Sequence, residues 1–208
     1  MSDVRRGGEA AARARADNAT MNRLLGLIVL VIAAAGACAG SAQASTTASV
    51  MLNAGALSFV NGTPASTLTF PTTTLNGANR TLTATLAFDV SDATGSGAGW
   101  NVTATSTQFT SGSKTLPAAA TTIQTAPSLV CDLLPIFCTL ASTVVSYPYT
   151  LPAATVAPAA TPIYDAVANT GLGAQTFTTT WTLAVPAGVF ASATPYTSTW
   201  TFSLGSGP

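Results

Sequence analysis

The chain has 208 residues, 48% of them hydrophobic and only 7% charged, with no histidine and a formal net charge of zero. From Ser45 onward the only cations are Arg80 and Lys114, set against Asp89, Asp92, Asp132 and Asp165. Such a chain offers no basic stripe for nucleic acid, and it lacks the imidazole that Ser-His-Asp or Cys-His catalysis requires.

The first predicted element is a targeting segment. Arg23 closes a short basic region, residues 24–39 form an apolar run, and Ser41-Ala42-Gln43-Ala44 ends in a small-x-small pattern. That order of parts is a secretory signal peptide, expected as a helix and cleaved after Ala44. Met21 begins a signal complete in itself, so Met1 and Met21 both stand as candidate starts. Cys38 follows Ala35-Gly36-Ala37, a poor match to a lipoprotein signal, which favours cleavage over lipidation. Residues 1–44 are thus read as an N-terminal extension with signal peptide. Residues 45–208 are read as one secreted domain, long enough for a substantial core and without a stable membrane span after cleavage.

About a fifth of the residues from Ser45 onward are Thr, whose β-branched side chain favours strands. Short strands are expected near residues 49–52, 56–60 and 68–70. Residues 80–90 form the clearest early strand, with Leu82, Ala84, Leu86, Phe88 and Val90 alternating against polar neighbours. Residues 91–97 supply the Asp and Gly of a turn, after which Trp100, Val102, Ala104 and Ser106 share a face. Cys131 and Cys138, in CDLLPIFC, are expected to close a small loop by a disulfide in an exported protein. Two thiolates without His do not complete a zinc shell, so no metal is expected. Leu133, Leu134, Ile136 and Phe137 would then form an apolar tip, either a stapled loop or a contact for a partner. A strand is expected near residues 144–149. Residues 148–162, with four prolines, read as an extended, solvent-lying connection, and residues 169–173 as a turn.

The last two strands alternate with a period of two. Phe177, Thr179, Trp181, Leu183 and Val185 share one face of the first. Tyr196, Ser198, Trp200, Phe202 and Leu204 share one face of the second. The two are expected to pair antiparallel across a Pro- and Gly-containing loop, with no anchor after them. Many short strands with turn residues between them predict an all-β, antiparallel sandwich of jelly-roll or immunoglobulin-like form.

Three segments, FDVSDATGSGAGWNVTATSTQF (residues 88–109), TTTWTLAVP (178–186) and YTSTWTFSLGSGP (196–208), carry a resemblance. The chain resembles the WxL domain family of Gram-positive cell-surface proteins, in its actinobacterial-type form. The family motif falls on Trp100, Trp181, Leu183, Tyr196, Trp200 and Phe202. The proximal motif departs from the pattern as Trp-Asn-Val and the distal one as Trp-Thr-Phe, each keeping an apolar side chain two residues on. The resemblance implies non-covalent attachment to the cell wall, through peptidoglycan or a wall-associated polymer, with other surface proteins as further partners.

The alternation itself places all three Trp on faces shared with Leu, Val and Phe, which favours core packing over stacking on sugars. Asp89 and Asp92 could be imagined as paired carboxylates or a calcium site, but read more simply as a strand-end Asp and an Asx turn. Lys114 reads as a solvated turn tip. Neither catalysis nor a cofactor is expected. Exposed amides at Asn101, Gln108 and Asn169 are the candidates for polymer binding. The competing reading is a structural subunit of surface fibres or matrix, assembling through uncharged strand edges.

Overall fold

The computed structural model describes residues 45–132 and 138–208. The expected signal helix, Cys38, and the tip residues Leu133, Leu134, Ile136 and Phe137 lie outside the described residues. The described residues form strands and no helix. In chain order the strands are β1 (Leu57–Phe59), β2 (Arg80–Asp92), β3 (Trp100–Thr107), β4 (Thr110–Ser111), β5 (Lys114–Thr115) and β6 (Thr121–Ile123). They continue as β7 (Ser128–Cys131), β8 (Tyr149–Thr150), β9 (Ala153–Ala154), β10 (Thr161–Ala166), β11 (Gly173–Val185) and β12 (Trp200–Ser206).

Two mainly antiparallel sheets face each other, as the pattern predicts. In the first, β2 and β11 pair along their full thirteen residues, from Gly173 opposite Asp92 to Val185 opposite Arg80. Strand β1 continues this sheet beyond β2. The far side of β11 is shared by β7 at its start and β6 near its end, with β8 beyond β6. In the second sheet, β3 lies between β10 and β12, and β9 runs parallel to the end of β3.

Period-two patterning decides what lies between the sheets. On β2, Leu86, Phe88 and Val90 are buried while the residues between them are not, and on β3 the sequence Trp100, Val102, Ala104, Ser106 is buried at alternate positions. These residues meet Phe177 and Trp181 of β11 in one cluster. Phe88 stacks on Phe177 within its own sheet at 4.6 Å and meets Phe202 of the opposite sheet edge-on at 4.9 Å. Two polar side chains on the inner face of β11 are paired, as burial demands. Thr179 Oγ1 donates to the Leu86 carbonyl at 2.9 Å, and Gln175 Oε1 accepts from Ala141 N at 2.9 Å.

The expected pairing of the last two strands is corrected. Strands β11 and β12 lie in different sheets: among the described residues β11 pairs with β2, β6 and β7, and β12 with β3. Each presents a bulky apolar face, and a hairpin would leave both faces on one side of one sheet. Placed across the sandwich, each face fills the other. The connection is also too long for a tight hairpin, because β12 begins at Trp200 rather than Tyr196.

Other expectations are adjusted in detail. Residues 49–52 form no strand, and Val50, Met51 and Leu52 are exposed. Leu68 and Phe70 pack on the core without joining a ladder. The segment 144–149 is reduced to the two-residue β8 and a nearby bridge between Thr143 and Ala166. The proline-rich stretch is not simply solvent-lying, since it contains β9, the buried Leu151 and the start of β10. Its register against β3 shifts between Pro162 and Tyr164, where proline withholds a donor from the ladder.

Candidate functional site

The two ends of the sandwich differ. At the end where β2 starts and β11 finishes, a smaller cluster of Leu116, Ala120, Leu183 and Val185 closes the core, with Leu82, Phe109, Val189 and the Tyr196 ring packed against it. Leu183 lies two residues after Trp181 on the same face of β11, so Trp181 fills the main core and Leu183 floors this end.

Above that floor lies an open cleft of about 760 Å³ between the β4–β5 hairpin and the connection from β11 to β12. Gly112 turns the hairpin at φ 59°, where a glycine bears no Cβ penalty. The connection is held by many bonds. Tyr196 Oη donates to the Phe190 carbonyl at 2.7 Å, and Lys114 Nζ donates to the Ala191 carbonyl at 2.5 Å. Ser111 Oγ reaches Ser192 Oγ and Thr194 Oγ1, both at 2.8 Å. Thr110 and Thr197 exchange backbone bonds of 2.9 Å, and Ala187 N donates to Asn79 Oδ1 at 2.9 Å. These bonds fix a long connection whose Phe190 side chain is nonetheless 73% exposed. An exposed aromatic on a pinned loop is left free to touch a ligand.

The sequence-predicted residues divide among core, ends and loops. Trp100 and Trp181 are fully buried, whereas Trp200 and Phe202 are half-buried against the same cluster. Trp100 Nε1 donates to the Gly171 carbonyl at 3.0 Å, and Trp181 Nε1 has no partner among the described residues. Cys131 and Cys138 are joined by a disulfide with Cα atoms 5.9 Å apart.

The three amide candidates are not brought together. Asn101 and Gln108 lie at opposite ends of the β3 segment, about 23 Å apart at strand rise. Asn101 Nδ2 is committed to the Gly207 carbonyl at 2.6 Å. Asn169 is exposed in a left-handed turn at φ 65°, its backbone N donating to Gly97 O. Only Gln108 lines the cleft, with Nε2 donating to the Leu116 carbonyl and Oε1 left as an acceptor.

Asp89 and Asp92 do not form a pair, because an odd spacing puts them on opposite faces of β2. Asp92 is buried and accepts from Thr94 N and Oγ1, the expected Asx turn. Asp89 is hydrogen-bonded to Thr176 Oγ1, which also reaches Asp132. Among the described residues no group of three or more His, Cys, Asp or Glu is placed to hold a metal ion. Lys114 is more than a solvated tip, since it bonds to the loop beside Phe190. Sequence reasoning missed Phe190 altogether. The available signal was a large aromatic in VPAGVFASATP, a segment otherwise built of small and turn residues.

Among the described residues no helix is long and apolar enough to cross a membrane. Neither the curated proteins nor the solved structures compared with the chain give a match. The family of WxL domains, described as surface and cell wall-binding, matches residues 51–208, which is the whole sandwich. The buried Trp-x-Leu of β11, the loop-holding Tyr196 and the sandwich they build lie inside the matched span, and the chain belongs to the WxL family of cell wall-binding surface domains.

Proposed function

We propose that the protein is exported, loses residues 1–44 and is held non-covalently on the cell wall by residues 45–208, which bind peptidoglycan or a wall-associated polymer. The observation that carries this reading is the cleft beside Phe190. It is lined by Leu116 and Val189, which pack in one cluster with the motif residues Leu183 and Tyr196, and walled by a loop that Tyr196, Ser111 and Lys114 hold in place. The role is adhesion without chemistry. Co-sedimentation tests it: purified residues 45–208 are mixed with isolated Gram-positive sacculi, spun and blotted. Protein pelleting only with sacculi supports the reading, and protein remaining in the supernatant at all sacculus loads overturns it.

One observation favours a second reading, assembly into fibres. Bonds from Thr107 N to Thr199 O and from Gly207 N to Gly99 O set the phase of the β3–β12 ladder. The alternation of an antiparallel ladder then turns the backbone groups of Trp200, Phe202, Leu204 and Ser206 away from β3. Strand β12 is uncharged and among the described residues pairs with β3 alone, so this edge suits strand addition. Pelleting that rises with protein concentration in the absence of sacculi would favour this reading over the first.

A further inference from the structure

The few charges of residues 45–208 are sorted by end. Arg80 begins β2 opposite Val185, one residue before the connection that carries Phe190, and Lys114 lies on the hairpin across the cleft. All four carboxylates lie at the other end. Asp89 and Asp92 finish β2, Asp132 is bonded to Thr176 beside Asp89, and Asp165 sits opposite Asn101 at the start of β3. Arg80 and Asp89 are separated by about 30 Å of strand. That is several Debye lengths at physiological salt, so the two ends present their charge independently. The lining of the cleft includes Lys114, Gln108 and Phe190 and contains no carboxylate.

We infer that this cationic end is an anionic-glycan site, in which Phe190 stacks on a sugar ring while Lys114 takes a phosphate or carboxylate of the same polymer, with Arg80 adding positive charge at the same end of the sandwich. The inference rests on the wall-binding reading and narrows it to an anionic accessory polysaccharide of the wall. Three features select that class. The exposed ring offers a flat apolar face to the C–H side of a sugar. The Lys114 ammonium uses one donor on Ala191 O and keeps two for a ligand. Gln108 Oε1 adds an acceptor for a sugar hydroxyl. A polyanion is drawn to this end and repelled by the other, so the domain docks with its acidic end and the Cys131–Cys138 bridge away from the polymer.

The test uses residues 45–208 against two preparations of the same Gram-positive sacculi, one intact and one treated with hydrofluoric acid to remove phosphodiester-linked anionic polymers. The unaltered protein is expected to bind intact sacculi and to lose most of that binding on stripped ones. Binding to intact sacculi should weaken with added salt. Phe190→Ala and Lys114→Gln should each weaken it about tenfold, the loss expected for one charge-assisted contact or one stacked ring. Melting should be unchanged for Phe190→Ala, since the ring is exposed. Phe190→Tyr should retain binding, and so should Asp132→Asn at the opposite end. If the unaltered protein binds both preparations equally, or if both cleft variants bind like it, the anionic-glycan site is wrong while wall association stands. If the unaltered protein binds neither preparation, the wall-binding reading itself fails and takes this site with it.

Discussion

Trp181 and Trp200 meet edge to face with ring centroids 4.8 Å apart and planes at 62°, although their strands share no hydrogen bond. The contact joins the two sheets. Trp200 also reaches Phe70 and Phe109, both at 6.4 Å, so it ties in the segments before β2 and after β3. Truncating so large a ring leaves a cavity, and Trp200→Ala should cost about 3–5 kcal/mol, which is a large part of the stability of an ordinary domain. Folding and secretion should fail first, with wall binding lost as a consequence. Normal melting with abolished binding would instead make Trp200 a ligand platform.

The two fully buried Trp residues should respond differently to the same change. Trp100 Nε1 donates to Gly171 O, whereas Trp181 Nε1 has no partner among the described residues. Trp100→Phe removes a donor and leaves the Gly171 carbonyl unmatched, at a cost of about 1–3 kcal/mol beyond lost packing. Trp181→Phe loses packing but sheds an unsatisfied polar group. Urea denaturation of both variants should show Trp100→Phe as the weaker protein, and equal losses would refute the distinction.

Which parts of this fold were legible in sequence follows from what each signal measures. Alternation on β2 and β3 reports side-chain faces, and those are set locally by the strand backbone. Pairing is not local. The sequence of β11 and β12 says that each buries a Trp face, but a hairpin and a sandwich both satisfy that demand for a strand taken alone. The length of the connection and the filling of the core decide between them. Short strands such as β4, β6 and β9 escaped notice because two or three residues carry no period. Phe190 escaped because a search for faces finds residues that repeat, and an exposed loop aromatic stands alone.

Gly171 should be much harder to replace than Gly112. It adopts φ +80°, and a Cβ built there would lie 2.4 Å from Trp100 Nε1, against a ring buried on all sides. Gly112 also has a positive φ, but nothing lies within 4 Å of its Cβ position. Gly112→Ala therefore carries only the backbone penalty, about 1–2 kcal/mol, and Gly171→Ala must in addition displace the Trp100 ring. Thermal melting should fall much further for Gly171→Ala, and matched losses would show that the turn can shift without disturbing the ring.

Processing and oxidation leave a signature in one mass spectrum. The exported protein should begin at Ser45 and be lighter than the reduced chain by the two hydrogens lost in joining Cys131 to Cys138. The bond closes a loop between β7, which pairs with β11, and Thr139, whose N donates to Leu172 O at 2.9 Å. For so short a loop the chain-entropy argument gives about 2.5 kcal/mol of stabilisation. The double variant Cys131→Ser/Cys138→Ser should melt lower by that measure and still bind sacculi. Free thiols after export, or a lipid on Cys38, would contradict the expected processing.

Alkaline unfolding should report on the tyrosines behind Trp100. Burial raises the Tyr164 hydroxyl from its ordinary 10.0 to about 12, and its ring stacks on Trp100 at 5.4 Å and on Phe177 at 5.0 Å. Burial also raises Tyr147 and Tyr149 above the ordinary value. The sign follows from which state keeps the proton. The folded protein holds it more tightly, so the unfolded chain ionises first as pH passes 10.0. The contribution of Tyr164 is fully present below that value and is lost as pH rises to about 12. Stability measured by urea denaturation should thus be flat with respect to these groups below the lower value and fall steeply above it, with tyrosinate absorbance appearing together with unfolding. Tyr164→Phe loses the hydroxyl bond to the Ala141 carbonyl at 3.1 Å, so it should be weaker by about 1 kcal/mol at neutral pH. It should also be less sensitive to alkali, its linkage slope smaller by one proton. An unchanged slope in Tyr164→Phe would mean that this phenol ionises alike in both states, and that the alkaline loss belongs to Tyr147 and Tyr149.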